Sequence, residues 1–242
     1  MNSRMKSVPQ ALQRVFWSLY GRLAWDAARS PWKATQVRQI VEILKGRQVV
    51  PAEWVLDAGC GTGDFSLALA KAGFQVIGAD YAEGMLARAR AKMTGELANS
   101  LSFEQGDLNR RLNFPDARFD HVINISVLQV AAEPTFTLGE LWRVLRPGWT
   151  LALLHVPQSD SYNLPLREAI RHRIQDLEMK TLWRVALVAT KVWAERTGST
   201  RFWTAEALQE MLKSSHFRVL SVDQGPPIVI VARRTESEQN PA

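Results

Sequence analysis

A chain of 242 residues, 46% apolar and 22% charged, can bury a full core and falls in the range of one large α/β domain. Its single cysteine, Cys60, excludes an internal disulfide framework and a cysteine-based zinc site and fits a reducing, cytoplasmic setting. The net charge of +6 is uneven: residues 1–50 hold nine Lys/Arg against two Asp/Glu and residues 166–201 eight against four, whereas residues 51–165 are slightly acidic.

In chain order, the first 25 residues carry Arg4, Lys6, Arg14 and Arg22 and no acid, but Trp17, Tyr20 and Trp25 read as folded anchors, so a structured helix is expected there rather than a targeting peptide. From residue 51 strands and helices alternate. Trp54 to Asp57 reads as a strand, followed by a glycine-rich turn and a helix up to Gly73. Phe74 to Ala79, Leu101 to Gln105, Phe119 to Ile125 and Trp149 to Val156 read as further strands, the last after an Arg146-Pro147-Gly148 turn, with helices over Glu83 to Met93 and Thr135 to Leu145. A helix at Thr204 to Ser214 and strands at Phe217 to Val222 and Ile228 to Ala232 complete the pattern. The last two strands are joined by only five residues, too few for a parallel crossover, so they pair antiparallel. The expected fold is a doubly wound, mostly parallel, seven-stranded Rossmann-like sheet closing on an antiparallel hairpin, with ligands at the carboxyl ends of the strands. The expected division is a helical lid segment at 1–50, the main domain at 51–164 and 202–235, a helical insert at 165–201 and a polar tail at 236–242.

The chemistry is concentrated in Asp57-Ala58-Gly59-Cys60-Gly61-Thr62-Gly63. Glycines at alternate positions between a strand and a helix allow a sharp turn and a close backbone approach to a ligand. A dinucleotide fingerprint would need a third glycine at position 64, where Asp64 stands and would repel a pyrophosphate, whereas a sulfonium cofactor without phosphates tolerates it. Asp80, 21 residues beyond Gly59, ends the next strand, where a carboxylate can accept both ribose hydroxyls of an adenosine.

Together with Gly78-Ala79-Asp80, Met85 to Arg90, Gly106-Asp107-Leu108, Phe119 to Ile123 and Leu141 to Gly148, this loop closely resembles the class I S-adenosylmethionine-dependent methyltransferases from about Trp54 to Val156 and, more loosely, from Phe202 to Arg233. The resemblance implies S-adenosylmethionine as cofactor and S-adenosylhomocysteine as product. By it Gly59, Gly61 and Gly63 line the methionyl part, Asp80 holds the ribose, Met85 packs near the adenine, Asp107 reaches the adenine amino group, and Asp57 supports the loop or the ammonium. Cys60, Tyr81, Leu108 and Asn124 complete the expected cofactor site. Ala82 replaces a serine common after the ribose acid, and Trp149 replaces a second glycine after Arg-Pro-Gly, a change expected to disturb the start of the fifth strand. The subgroup it looks most similar to is the quinone-biosynthesis methyltransferases and their small-molecule relatives.

Acceptors are narrowed by exclusion. The only cysteine lies inside the loop, which removes the thiolate route to pyrimidine C5, and Asn124-Ile125-Ser126-Val127-Leu128 lacks the Asn/Asp-Pro-Pro-Tyr segment of base amino-methyltransferases. No metal site is expected. A small, hydrophobic acceptor is expected and nucleic acid is not; a cofactor-binding protein without turnover and a nucleic-acid methyltransferase are the alternatives. His155, near the end of the fifth strand, is the candidate general base, or else orients the acceptor or satisfies a buried carbonyl. Tyr20 and Trp25 are candidate acceptor contacts, Tyr20 and Tyr81 being equally readable as core packing. His121 and His216 read as structural. The basic, Trp-containing segments read as a lid over the cleft, packed on the domain or docking weakly on an anionic membrane surface; the sequence leaves the oligomeric state open.

Overall fold

The computed structural model describes residues 10–23, 31–46, 53–155, 200–225 and 227–235. Two helices, α1 (Gln10–Leu23) and α2 (Pro31–Lys45), precede the alternating region. There follow β1 (Trp54–Ala58), α3 (Asp64–Lys71), β2 (Gln75–Asp80), α4 (Glu83–Lys92), β3 (Leu101–Gln105), β4 (Phe119–Ile125), α5 (Pro134–Val144), β5 (Leu145–His155), α6 (Ala205–Ser214), β6 (Phe217–Asp223) and β7 (Ile228–Arg234). The insert from 165 to 199, Trp25 and the tail at 236–242 lie outside the described residues, as does the side chain of Tyr20.

The seven strands form one sheet in the order β3-β2-β1-β4-β5-β7-β6. β1 to β5 run parallel; β7 pairs antiparallel with β6, as the short 223–227 connection requires, and antiparallel with β5 as well. Strand order reverses between β1 and β4, and that switch point opens a crevice at the carboxyl ends of the strands.

Strand periodicity sorts the core onto two faces. Leu56, Ile77, Val122, Leu151 and Leu153 face α5 and α6, meeting Leu138, Leu141 and Leu208. Val55, Val76, Ile123, Ala152 and Leu154 face the other way, onto Ile40 and Leu44 of α2, Leu69 of α3 and Leu86 of α4. The main departure from the sequence reading is at β5. It pairs with β4 from Leu145, and residues 146–149 bulge between the pairs Phe119–Leu145 and His121–Thr150. Gly148, at φ +77°, turns the bulge, and Trp149 sets its ring edge-on to His121 at 5.4 Å. The Arg-Pro-Gly turn is therefore an irregularity within the strand, held by Arg146, whose guanidinium pairs with Asp120.

Candidate functional site

The loop after β1 is built almost entirely by backbone. The amides of Gly59 and Cys60 both donate to the Ala79 carbonyl, at 2.7 and 3.0 Å, and the Gly63 amide donates to the Cys60 carbonyl at 2.9 Å. Gly59, Gly61 and Gly63 all have φ in the left-handed region, at +84°, +54° and +77°. They do different jobs. A Cβ on Gly59 would stand 2.3 Å from Val127, and one on Gly63 2.6 Å from the Phe103 ring, so these two glycines let the loop sink onto its neighbours. A Cβ on Gly61 would meet nothing within 4 Å: this is where the loop faces open space.

Asp80, at the carboxyl end of β2, locks that arrangement. Its Oδ2 accepts from the Gly61 amide at 2.9 Å and its Oδ1 from the Ala82 amide at 2.8 Å. Burial lifts its carboxyl from the ordinary 3.8 to about 6, even though these amides pull the other way. Asp57, 1% exposed at the end of β1, accepts from the Ser66 hydroxyl at 2.6 Å and so ties β1 to α3. Cys60 is buried, and burial followed by the charges of Asp57 and Asp80 raises its thiol well above the ordinary value, keeping it protonated and inert.

Asp107 follows β3. Its Oδ1 accepts from the Asn109 amide and side chain at 3.0 and 3.1 Å, and its Oδ2 faces Arg14 of α1 at 3.5 Å and Arg110 at 3.7 Å. After Asp80 comes a small apolar cluster of buried Ala82 and Met85, with Tyr81, Phe16 and Trp17 packed against them. Burial, then the charges of Asp80 and Asp107, keep the Tyr81 phenol protonated. Leu108 belongs to the core beneath, its carbonyl accepting from Thr137 at 3.1 Å. Gly61, Asp80 and Asp107 thus stand at the carboxyl ends of the neighbouring strands β1, β2 and β3, with Met85 on α4.

Three expectations change in detail. Asp64 does not present a free charge at the start of α3, because Lys92 of α4 pairs with it at 2.6 Å and also donates to the Thr62 carbonyl and hydroxyl, each at 3.0 Å. Paired with Lys92, Asp64 repels a pyrophosphate less than its charge alone would, while position 64 still lacks the glycine of a dinucleotide fingerprint. Asn124, fully buried, donates to the Ala58 carbonyl at 3.0 Å and accepts from the Leu128 amide at 3.2 Å; both ends of its amide tie β4 to β1 and to the following turn. His155 departs furthest from the role of a freestanding base. Its Nε2 accepts from the Trp203 amide at 3.2 Å, the ring is 1% exposed, and burial pushes its pKa down to about 4. The imidazole is neutral with one nitrogen committed to the backbone that follows the insert. Arg201 fastens the same segment, donating to the carbonyls of Ala131 and Ala132 at 2.8 and 3.0 Å.

Glu53, which sequence reasoning passed over, is buried before β1 and pairs with His121 at 3.2 Å, which gives that histidine its structural role. Arg14 and Lys92 were also missed as site residues, since only the fold brings them to the loop and to Asp107.

A methyltransferase domain family matches residues 55–148. The demethylmenaquinone methyltransferase of Deinococcus radiodurans is 44% identical over 105 residues, 43% of each chain. The malonyl-[acyl-carrier protein] O-methyltransferase of Serratia marcescens is 38% identical over 140 residues, 57% of this chain and 50% of that one. The chain spans about half the length of these curated relatives. Among solved structures, the 1,6-didemethyltoxoflavin-N1-methyltransferase of Burkholderia thailandensis superposes with a TM-score of 0.66 at 18% identity, covering 98% of this chain and 94% of that one.

Proposed function

Because residues 55–148 are a methyltransferase domain of the class I S-adenosylmethionine-dependent superfamily, we propose that the chain binds S-adenosylmethionine and passes its methyl group to a small, apolar acceptor. The observation that carries this reading is the convergence of Gly61, Asp80 and Asp107 at successive strand ends, with the open space beside Gly61 between loop and acids. A bound S-adenosylmethionine supplies a methyl group already activated by its sulfonium. The work left to the protein is placement, and holding a nucleophile in line can supply roughly 7–11 kcal/mol of the barrier.

Each residue has a placing task. Asp80 accepts the two ribose hydroxyls on the lone pairs not used by the Gly61 and Ala82 amides, so one carboxylate fixes loop and nucleoside together. Asp107 accepts from the adenine amino group, and the cluster that Ala82 and Met85 form with Phe16, Trp17 and Tyr81 backs the ring. Gly61 lets the methionyl part lie against bare backbone. His155 positions the 200–204 segment at the end of β5 rather than taking a proton from the acceptor.

An apolar acceptor is supported by Val127, Trp203 and the neutral imidazole of His155 around the β4–β5 end, where the one described cation, Arg201, is held by the carbonyls of Ala131 and Ala132. It agrees with the demethylmenaquinone named for the Deinococcus relative. The outward face of α1 exposes Leu12, Val15 and Leu19 in a segment rich in Arg and Lys, which suits weak docking on an anionic lipid surface. Among the described residues no helix is long and apolar enough to cross a membrane.

The test is transfer of label from methyl-tritiated S-adenosylmethionine to a panel of reduced naphthoquinones, lipophilic phenols and fatty acids. Label in the organic phase is expected. Labelling of polar acceptors alone would contradict the apolar pocket, and no transfer to any acceptor by a chain that binds S-adenosylhomocysteine would favour a binding protein without turnover. Flotation with anionic vesicles, lost at high salt, is the expected result for α1 docking; failure to float at low salt contradicts it.

A further inference from the structure

Helix α1 lies outside the alternating strand-helix pattern, yet it returns to the nucleoside end of the crevice and touches it at three points. The first is a backbone crossing. A Cβ on Gly84, near the start of α4, would stand 2.1 Å from the Ser18 carbonyl oxygen, and the Gly84 amide faces the Ser18 hydroxyl at 3.4 Å. Only glycine lets the two helices approach this closely. The second is apolar: Phe16 and Trp17 pack on Ala82, Met85 and Tyr81. The third is charged, with the Arg14 guanidinium 3.5 Å from Asp107 Oδ2 and 5.8 Å from the centre of the Tyr81 ring. Every partner except Gly84 is a group assigned above to the nucleoside or its neighbour.

We propose that Arg14 is a cofactor-binding residue, forming with Asp107 and Tyr81 the wall of the adenine subsite, and that Gly84 is the seat that holds α1 in place for it. The inference rests on the reading of Asp80, Met85 and Asp107 as the nucleoside end. Arg14 is half exposed, so its pair with Asp107 alone is a weak support for the fold. Its value lies in fixing the orientation of the Asp107 carboxylate and in closing the subsite on the side where the strands provide no residue. Gly84 controls this from a distance, because any side chain there pushes the Ser18 backbone, and Arg14 one turn before it, away from the crevice.

The experiment is calorimetric titration of the full chain with S-adenosylhomocysteine and with 5′-methylthioadenosine, which keeps the nucleoside and lacks the amino acid. Arg14→Ala is expected to weaken both ligands by about three- to tenfold, and Gly84→Ala by at least as much. The double variant should be no weaker than Gly84→Ala, since the seat is already lost. Hydrogen exchange of residues 10–23 supplies a second readout: both ligands should slow it in the wild type and not in Gly84→Ala. Wild-type affinity in Arg14→Ala, or losses that multiply in the double variant, would overturn the inference. A wild-type chain that binds neither ligand would instead overturn the cofactor reading on which it rests.

Discussion

The two halves of the crevice are built on different principles. Over β1, β2 and β3 the site is made by backbone: three left-handed glycines, five amides with fixed acceptors, and acids at strand ends. Over β4 and β5 the described part is made by side chains that hold segments together, with Asn124 bridging β4 to β1 and His155 bridging β5 to Trp203. A ligand common to many enzymes can be met by backbone geometry, whereas an acceptor must be met by whatever the decorations bring. Under the proposed function the first half would hold the cofactor and the second would select the acceptor.

The largest difference between neighbouring residues is expected within the glycine loop. Gly59→Ala drives a Cβ into Val127 at a left-handed position, so a stability loss of about 2–5 kcal/mol is expected in thermal or urea unfolding. Gly61→Ala has the same backbone demand and no clash, so it should lose only about 1–2 kcal/mol of stability while filling the open space proposed for the cofactor. Equal stability losses for the two would show that they do not divide structural from binding duty.

Asp80 comes next. Asp80→Ala should weaken S-adenosylhomocysteine by about 10- to 150-fold, and it should also cost about 1–3 kcal/mol of stability, because the Gly61 and Ala82 amides lose their acceptor. Its raised pKa gives stability and binding opposite pH dependences. A carboxyl at about 6 in the folded chain favours folding most below its ordinary 3.8 and loses that contribution as pH rises through about 6. Ribose hydroxyls bind the ionised form, so affinity should instead fall as pH drops below about 6, with proton release on binding near that pH. Calorimetry in buffers of different ionisation enthalpy checks this; affinity flat from pH 7.5 to 5 would place the ribose elsewhere.

The smallest effect is expected at His155. Its depressed pKa has the opposite sign: the neutral ring supports folding above about 6.5, and that support is lost as pH falls towards 4. His155→Gln can still accept from the Trp203 amide and should cost turnover less than tenfold, whereas His155→Ala leaves that amide without its acceptor and should cost about 1–3 kcal/mol of stability. A drop of more than tenfold in His155→Gln with cofactor affinity intact would restore the base.

Legibility in the sequence follows the same division. The strands and the antiparallel hairpin could be read because they rest on local periodicity, and the glycine loop because it is a turn that only glycine makes, whereas the part expected of Asp107 came from the family resemblance. The contacts of Arg14 with Asp107, Gly84 with Ser18 and Lys92 with Asp64 could not, because they join residues 28 to 93 positions apart through tertiary packing. Lys92 is instructive: the charge of Asp64 was visible, and its neutralisation from the far end of α4 was not. At His155 the strand end was legible but the Trp203 amide that occupies the ring nitrogen arrives from beyond the insert.

In the proposed function, β1 to β3 form a nucleoside site fixed by Asp80. Calorimetric titration of the wild-type chain and a folded Asp80→Ala variant with S-adenosylhomocysteine at pH 7.5 tests it most directly. One ligand per chain in the wild type and about 10- to 150-fold weaker binding in the variant is the predicted result. No binding by the wild type, or equal affinity in the two, would contradict it.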